Sequence, residues 1–135
     1  MTVPALQALL ADVFAPWVQE LGLVVRTADA GGLALALPVD PRHVHKGGVM
    51  CGQTLMSAAD TALVLAISHR LGGFRPMTTV QLQTSFLRPV PREAREVVVT
   101  ARILKSGRSL VFGEVALGLP DGELAAHVTS TSALL

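Results

Sequence analysis

The sequence has no tyrosine, one tryptophan and one cysteine, and aromatic residues make up only 4% of its 135 residues. So few aromatics leave no platform for stacking nucleobases. A lone cysteine allows no internal disulfide. Charge is sparse as well: Lys, Arg, Asp and Glu amount to 16%, and eleven basic against ten acidic residues give a net charge of +1. Nucleic-acid binders usually carry a clear basic excess, so no nucleic-acid partner is expected. No uninterrupted apolar run approaches the ~18 residues of a membrane span, and no membrane partner is expected. The N-terminal segment has no basic stretch and carries Asp12. It is unlike a secretory leader, so the expected compartment is the cytoplasm.

What the chain does have is apolar surface, at 50% of residues. That excludes intrinsic disorder. It also exceeds what a small monomer needs to bury and points to covered subunit interfaces. The length fits one domain over residues 1–135, because single cores rarely divide below about 200 residues.

Apolar spacing predicts a helix over Pro4–Glu20, with Leu6, Leu10, Val13 and Trp17 on one face and Pro16 kinking or closing it. Two short strands follow, Leu21–Arg26 and Leu33–Leu37, joined by a turn ending in Gly31-Gly32. Val39–Met50 reads as a loop and Cys51–Arg70 as a long apolar helix, ended by Gly72-Gly73. Alternation then predicts a strand in which Val80, Leu82, Thr84 and Phe86 share one face and Thr79, Gln81, Gln83 and Ser85 the other. Three further strands, Val97–Leu104, Leu110–Leu119 and Leu124–Leu134, complete a meander. The expected class is α+β: an antiparallel sheet of about six strands wrapped around the long helix, with an N-terminal helix beside it.

On the long helix, Gln53, Ser57, Asp60, Thr61 and Ser68 fall within roughly a 100° arc. A solvated helix face usually carries long charged side chains, and this one carries short polar groups and one carboxylate. No Lys or Arg lies within four residues of Asp60, so no ion pair along the helix explains it. The helix begins at His45-Lys46-Gly47-Gly48-Val49-Met50-Cys51-Gly52. Amides in a first helical turn lack partners, and the helix dipole favours negative charge there. With no side chain at Gly52, its N–H is open to an approaching carbonyl oxygen.

The pattern His45-x2-Gly48-x2-Cys51-Gly52-x7-Asp60 resembles the motif of the PaaI-like acyl-CoA thioesterases, a subgroup of the hotdog-fold superfamily. The segments Thr79-x-Gln81-x-Gln83-x2-Phe86-Leu87-x-Pro89 and Lys105-Ser106-Gly107-Arg108-Ser109 resemble its later strand and turn. His45 replaces the usual Asn, Cys51 the usual His, and Gln53 the second Gly of that motif. The resemblance implies a hotdog fold and hydrolysis of an acyl-CoA thioester to free acid and coenzyme A. It implies a homodimer or dimer of dimers with antiparallel central helices sharing a site. Asp60 is then general base or nucleophile, and the Gly52 N–H is the oxyanion donor. Thr79 and His45 are assigned supporting catalytic hydrogen bonds. Gly48, Cys51 and Gln53 are assigned to substrate binding, and Lys105 and Arg108 to the phosphates or pantetheine of coenzyme A. No cofactor and no metal is implied.

Other readings stay open at this point. Cys51 at a helix N-terminus, with His43 or His45 as base, suits thiol nucleophilic chemistry. His43, His45 and Cys51 are three potential metal ligands, without the paired spacing of a zinc site. His69 and His127 read as structural. A hotdog protein that binds acyl-CoA without turnover is the alternative from a different class.

Overall fold

The computed structural model describes residues 1–135. Helix α1 covers Val3–Val13; Thr2 caps it by accepting from the Ala5 N–H at 3.2 Å. The interruption expected at Pro16 is present: α1 ends at Val13 and Phe14 is extended, because Pro16 lacks an N–H and disfavours helical backbone in the residue before it. A single turn, α2 (Pro16–Gln19), resumes beyond the break, and the Gln19 side-chain amide donates to the Phe14 carbonyl at 2.7 Å across it. Gln7 anchors α1 to the sheet. Its amide nitrogen donates to the Leu23 carbonyl at 3.1 Å, and its oxygen accepts from the Val25 N–H at 2.8 Å.

Six strands follow: β1 (Val24–Asp29), β2 (Gly32–Pro38), β3 (Met77–Phe86), β4 (Glu96–Ser106), β5 (Leu110–Gly118) and β6 (Leu124–Leu134). A 3-10 turn at Pro41–His43 and the long helix α3 (Gly52–Leu71) lie between β2 and β3. The sheet is antiparallel throughout, in the order β1-β2-β4-β5-β6-β3. Its two edges are therefore β1 and β3. At the β1–β2 turn, Gly32 has φ +137°, and a Cβ there would stand 2.2 Å from the Ala101 carbonyl oxygen. Only glycine lets the hairpin close this tightly on β4.

The concave face of the sheet wraps α3, as the strand-and-helix order implied. Ala58, Ala59, Ala62 and Ala66 are buried on α3, and such small side chains let the strands come close to the helix. Around them Leu35, Leu37, Leu63, Leu65, Val97, Val99, Val115 and Leu117 fill the core; each fully buried leucine is worth roughly 1.5–3 kcal/mol of transfer free energy. Three of the helix hydroxyls are satisfied within α3 itself. Ser57 donates to the Gln53 carbonyl at 2.9 Å, Thr61 to Ser57 at 2.8 Å and Ser68 to Val64 at 2.8 Å. Gly72, at φ +80°, closes the helix with its N–H on the His69 carbonyl, and the Gly73 N–H reaches Ser68.

The register of β3 departs from simple alternation. Thr79 pairs with Ser132 and Gln81 with Thr131, so Val80 is an extra residue in a bulge. The bulge returns Thr79 to the α3 side, the face of Leu82 and Thr84, rather than the face of Gln81 and Gln83. Val80 is left 61% exposed on the edge.

The convex face carries one ionic cluster. Glu114 accepts from the Arg102 guanidinium and lies 3.1 Å from His127 Nε2. Chiefly the Arg102 hydrogen bond, with His127 adding to it, holds the Glu114 carboxyl below its ordinary range, against an opposing effect of burial. Glu96 is likewise lowered by Arg26. His127 thus has a structural place, and so does His69, which joins Asp29 O at 2.8 Å to the N-terminal amine at 3.1 Å.

Candidate active site

Asp60 lies mid-way along α3, partly buried. The Thr79 hydroxyl donates to Asp60 Oδ1 at 2.6 Å, a length usual for a charge-assisted O–H···O bond. That contact fixes the carboxylate and leaves Oδ2 available. Asp60 lines a groove of about 240 Å3 with Ser57, Met56, Leu82 and three residues of the N-terminal region, Phe14, Trp17 and Val18.

Gly52 is the first residue of α3, preceded by Cys51 in extended backbone. The Gly52 N–H has no backbone acceptor in the chain, as expected of a first-turn amide. Phe86 covers the residue: a Cβ at Gly52 would meet the ring at 2.9 Å. Together Gly52, Met50, Leu55, Phe86 and Pro89 line a second groove, of about 360 Å3. Eight residues of helical rise, about 12 Å, separate Gly52 from Asp60. Within one chain the free amide and the carboxylate therefore open onto different grooves.

The remaining candidates divide between turn formation and exposure. His45 is exposed, and its Nδ1 accepts from the Gly47 N–H at 2.9 Å. Its backbone closes the turn, with N–H on the Val49 carbonyl and carbonyl on the Gly48 N–H. Gly48 has φ +84°, and its carbonyl accepts from the Arg92 N–H at 3.1 Å. Gln53 is exposed in the first turn of α3. Cys51 Sγ sits 3.1 Å from Thr54 Oγ1, which lies 3.2 Å from His43 Nδ1. The Cys51 N–H also donates to the His43 carbonyl at 2.8 Å, and His43 Nε2 is buried without a partner. His43 thus braces the entry to α3. Lys105 and Arg108 are exposed, and neither forms an ion pair. They lie at the Met77 end of the sheet, whereas Gly52 lies at the Phe86 end.

Sequence reasoning missed two contributions. One is the ring of Phe86 over Gly52, which no local spacing reveals. The other is the wall that Phe14, Trp17 and Val18 build beside Asp60. An exposed tryptophan just after a helix-breaking proline was the available signal.

The fold agrees with what known proteins show. Residues 47–126 match the family model described as the thioesterase superfamily, and the chain belongs to that superfamily, with its hotdog fold. Mouse acyl-coenzyme A thioesterase 13 is 28% identical over 85 residues, 63% of this chain and 59% of the relative, so the match spans under two thirds of that relative's length. The structure of a variant of phenylacetic acid degradation protein PaaI from Thermus thermophilus aligns at 26% identity and TM-score 0.79, covering 90% of this chain and all of that one. Zebra fish thioesterase superfamily member 2 shares the fold at 24% identity and TM-score 0.88, covering 100% of this chain and 99% of the other. No helix of the chain is long and apolar enough to cross a membrane.

Proposed function

We propose that this protein hydrolyses an acyl-CoA thioester to free acid and coenzyme A, at a site completed by two copies of the chain. The observation that carries the reading is the pairing of Asp60 with Thr79 at 2.6 Å beside an apolar-lined groove. A carboxylate held this way, with one oxygen free, suits a general base on water or a nucleophile at the carbonyl carbon. Water attack breaks the carbonyl π bond, passes the water proton to Asp60 and places negative charge on the former carbonyl oxygen. A Gly52 N–H stabilises that oxygen until the C–S bond breaks and the thiolate of coenzyme A leaves.

Base and oxyanion donor must both stand within about 3 Å of reacting atoms. The ~12 Å of helix between Asp60 and Gly52 prevents one chain from supplying both. An antiparallel second α3 removes the conflict, and β3 supports that assembly. It is a ten-residue edge strand with an unpaired outer row and an exposed Val80, and such an edge is built to be covered. Pairing β3 with itself antiparallel sets the Met77 end of one copy beside the Phe86 end of the other. Lys105 and Arg108 of one protomer then approach the Gly52 of its partner, where unpaired cations suit coenzyme A phosphates. We place the enzyme in the cytoplasm as a dimer or dimer of dimers.

The test is thiol release from a panel of short-chain, medium-chain and aryl-CoA thioesters by the wild-type protein and by Asp60→Asn. Turnover by wild type and its loss in a folded Asp60→Asn protein are the expected result. Acyl-CoA binding without any release of thiol would reassign the protein to non-catalytic binding. Label found in Asp60 after a single turnover in heavy-oxygen water would establish an anhydride intermediate opened at the Asp60 carbonyl.

A further inference from the structure

The N-terminal wall of the Asp60 groove has two parts: Phe14 and Val18 pack against the core, and Trp17 does not. Phe14 sits at the break between α1 and α2, and Trp17 and Val18 lie on α2. Trp17 is the only tryptophan of the chain and is 59% exposed, and Met56 and Leu82 line the same groove. A large exposed indole at the rim of a groove that ends on a carboxylate offers a flat apolar surface to a ligand and nothing to the core. Phe14, Trp17, Val18, Met56 and Leu82 give the groove apolar sides that suit an apolar tail, and no Lys or Arg lines it to meet the phosphates of coenzyme A.

Resting on the thioesterase reading above, we infer that this groove takes the acyl tail of the substrate, and that Trp17 selects a medium-chain or single-ring apolar acyl group over a short one. The geometry supports this in three ways. The tail must leave the carbonyl at the carboxylate that attacks it, and the apolar walls begin beside Asp60. Met56 adapts its shape to irregular apolar ligands. The α2 turn is anchored by backbone bonds from Val18 and Gln19 to the Ala15 carbonyl, by the Gln19–Phe14 bond and by Val18 packed on the core, so it presents the exposed indole of Trp17 from a fixed base.

The sole tryptophan makes the test direct. Tryptophan emission of the Asp60→Asn protein, which keeps the groove and stops turnover, is titrated with decanoyl-CoA, acetyl-CoA and coenzyme A. A saturable blue shift with decanoyl-CoA, absent with the other two, is expected. Decanoyl-CoA binding seen by calorimetry with no change in emission overturns the inference, as does no binding at all. In the wild-type background, Trp17→Ala should raise KM for decanoyl-CoA about tenfold or more, with kcat nearly kept and acetyl-CoA kinetics unchanged. Trp17→Phe should restore much of the loss. Equal KM increases for both substrates overturn the inference while leaving Asp60-dependent hydrolysis standing. If the wild-type protein hydrolyses no thioester, the enzymatic reading fails separately, and the emission titration still decides where the tail binds.

Discussion

The Thr79 hydroxyl meets Asp60 Oδ1 at 2.6 Å because a bulge at Val80 turns Thr79 back to the face it shares with Leu82. Without that extra residue, strand alternation would aim Thr79 away from α3 with Gln81 and Gln83. The bulge is therefore the local distortion on which the orientation of the carboxylate depends, and re-aiming a side chain is a common use of such a feature.

Asp60→Asn keeps the size of the side chain and an oxygen for Thr79 to bond. Turnover should fall by about 10²–10⁴ while circular dichroism and thermal unfolding stay close to wild type. Near-wild-type thiol release from a folded Asp60→Asn protein sinks the proposed chemistry.

Thr79→Val removes the hydroxyl and keeps the shape. As Thr79 acts through Asp60, kcat should drop about tenfold with KM little moved. Thr79→Ser should recover most of the rate. Failure of the serine variant to recover it would reduce Thr79 to a packing residue.

Gly52→Ala sets a methyl group against the Phe86 ring, 2.9 Å from its Cζ. The clash should displace the first turn of α3 with its free amide, so stability and turnover should fall together, and the added Phe86→Ala change should relieve the clash and restore stability. Mixing Gly52→Ala chains with Asp60→Asn chains, each inactive alone, should regenerate activity, because a mixed pair contains one site with both groups intact. No recovery after confirmed subunit exchange would rule out a shared site.

Lys105→Glu and Arg108→Glu should each raise KM several-fold with little change in kcat, and the wild-type KM should rise with salt. Steady-state kinetics at two ionic strengths check this. Unchanged KM in both variants would assign these cations to solvent.

Acid should destabilise the fold partly through Glu114. Its carboxyl titrates lower in the folded chain than its ordinary value of 4.5, owing first to the Arg102 hydrogen bond. The folded state therefore binds that proton less readily than the unfolded state. The contribution is present above about 4.5 and is lost as pH falls through the lowered folded value. Thermal melts of Glu114→Gln should show a shallower loss on acidification than wild type, and identical slopes would contradict the assignment.

Much of this molecule could be read from its residues in order. The α3 boundaries followed from Gly52 and Gly72-Gly73, and the β6 span matched its alternation. Asp60 stood out because nothing nearby on its helix neutralises it. Pro16 was legible as the end of the first apolar run because its ring removes an amide, and α1 stops before it. One error had a local cause. Thr79 was placed on the wrong face because a bulge leaves the residue types of a strand unchanged and shifts only its register. The covering of Gly52 by Phe86, and of Asp60 by Phe14 and Trp17, joins residues far apart in sequence, and one chain's residue order does not encode those distances.

The inequality of the two sheet margins also governs how the molecule can be handled. The β1 margin is short, kinked at Arg26 and partly masked by Gln7, which accepts from the Val25 N–H, whereas the β3 margin is long and bare. A fluorophore, resin or fusion tag tethered near the β1–β2 hairpin leaves the bare margin free, and one tethered beside Val80 obstructs it.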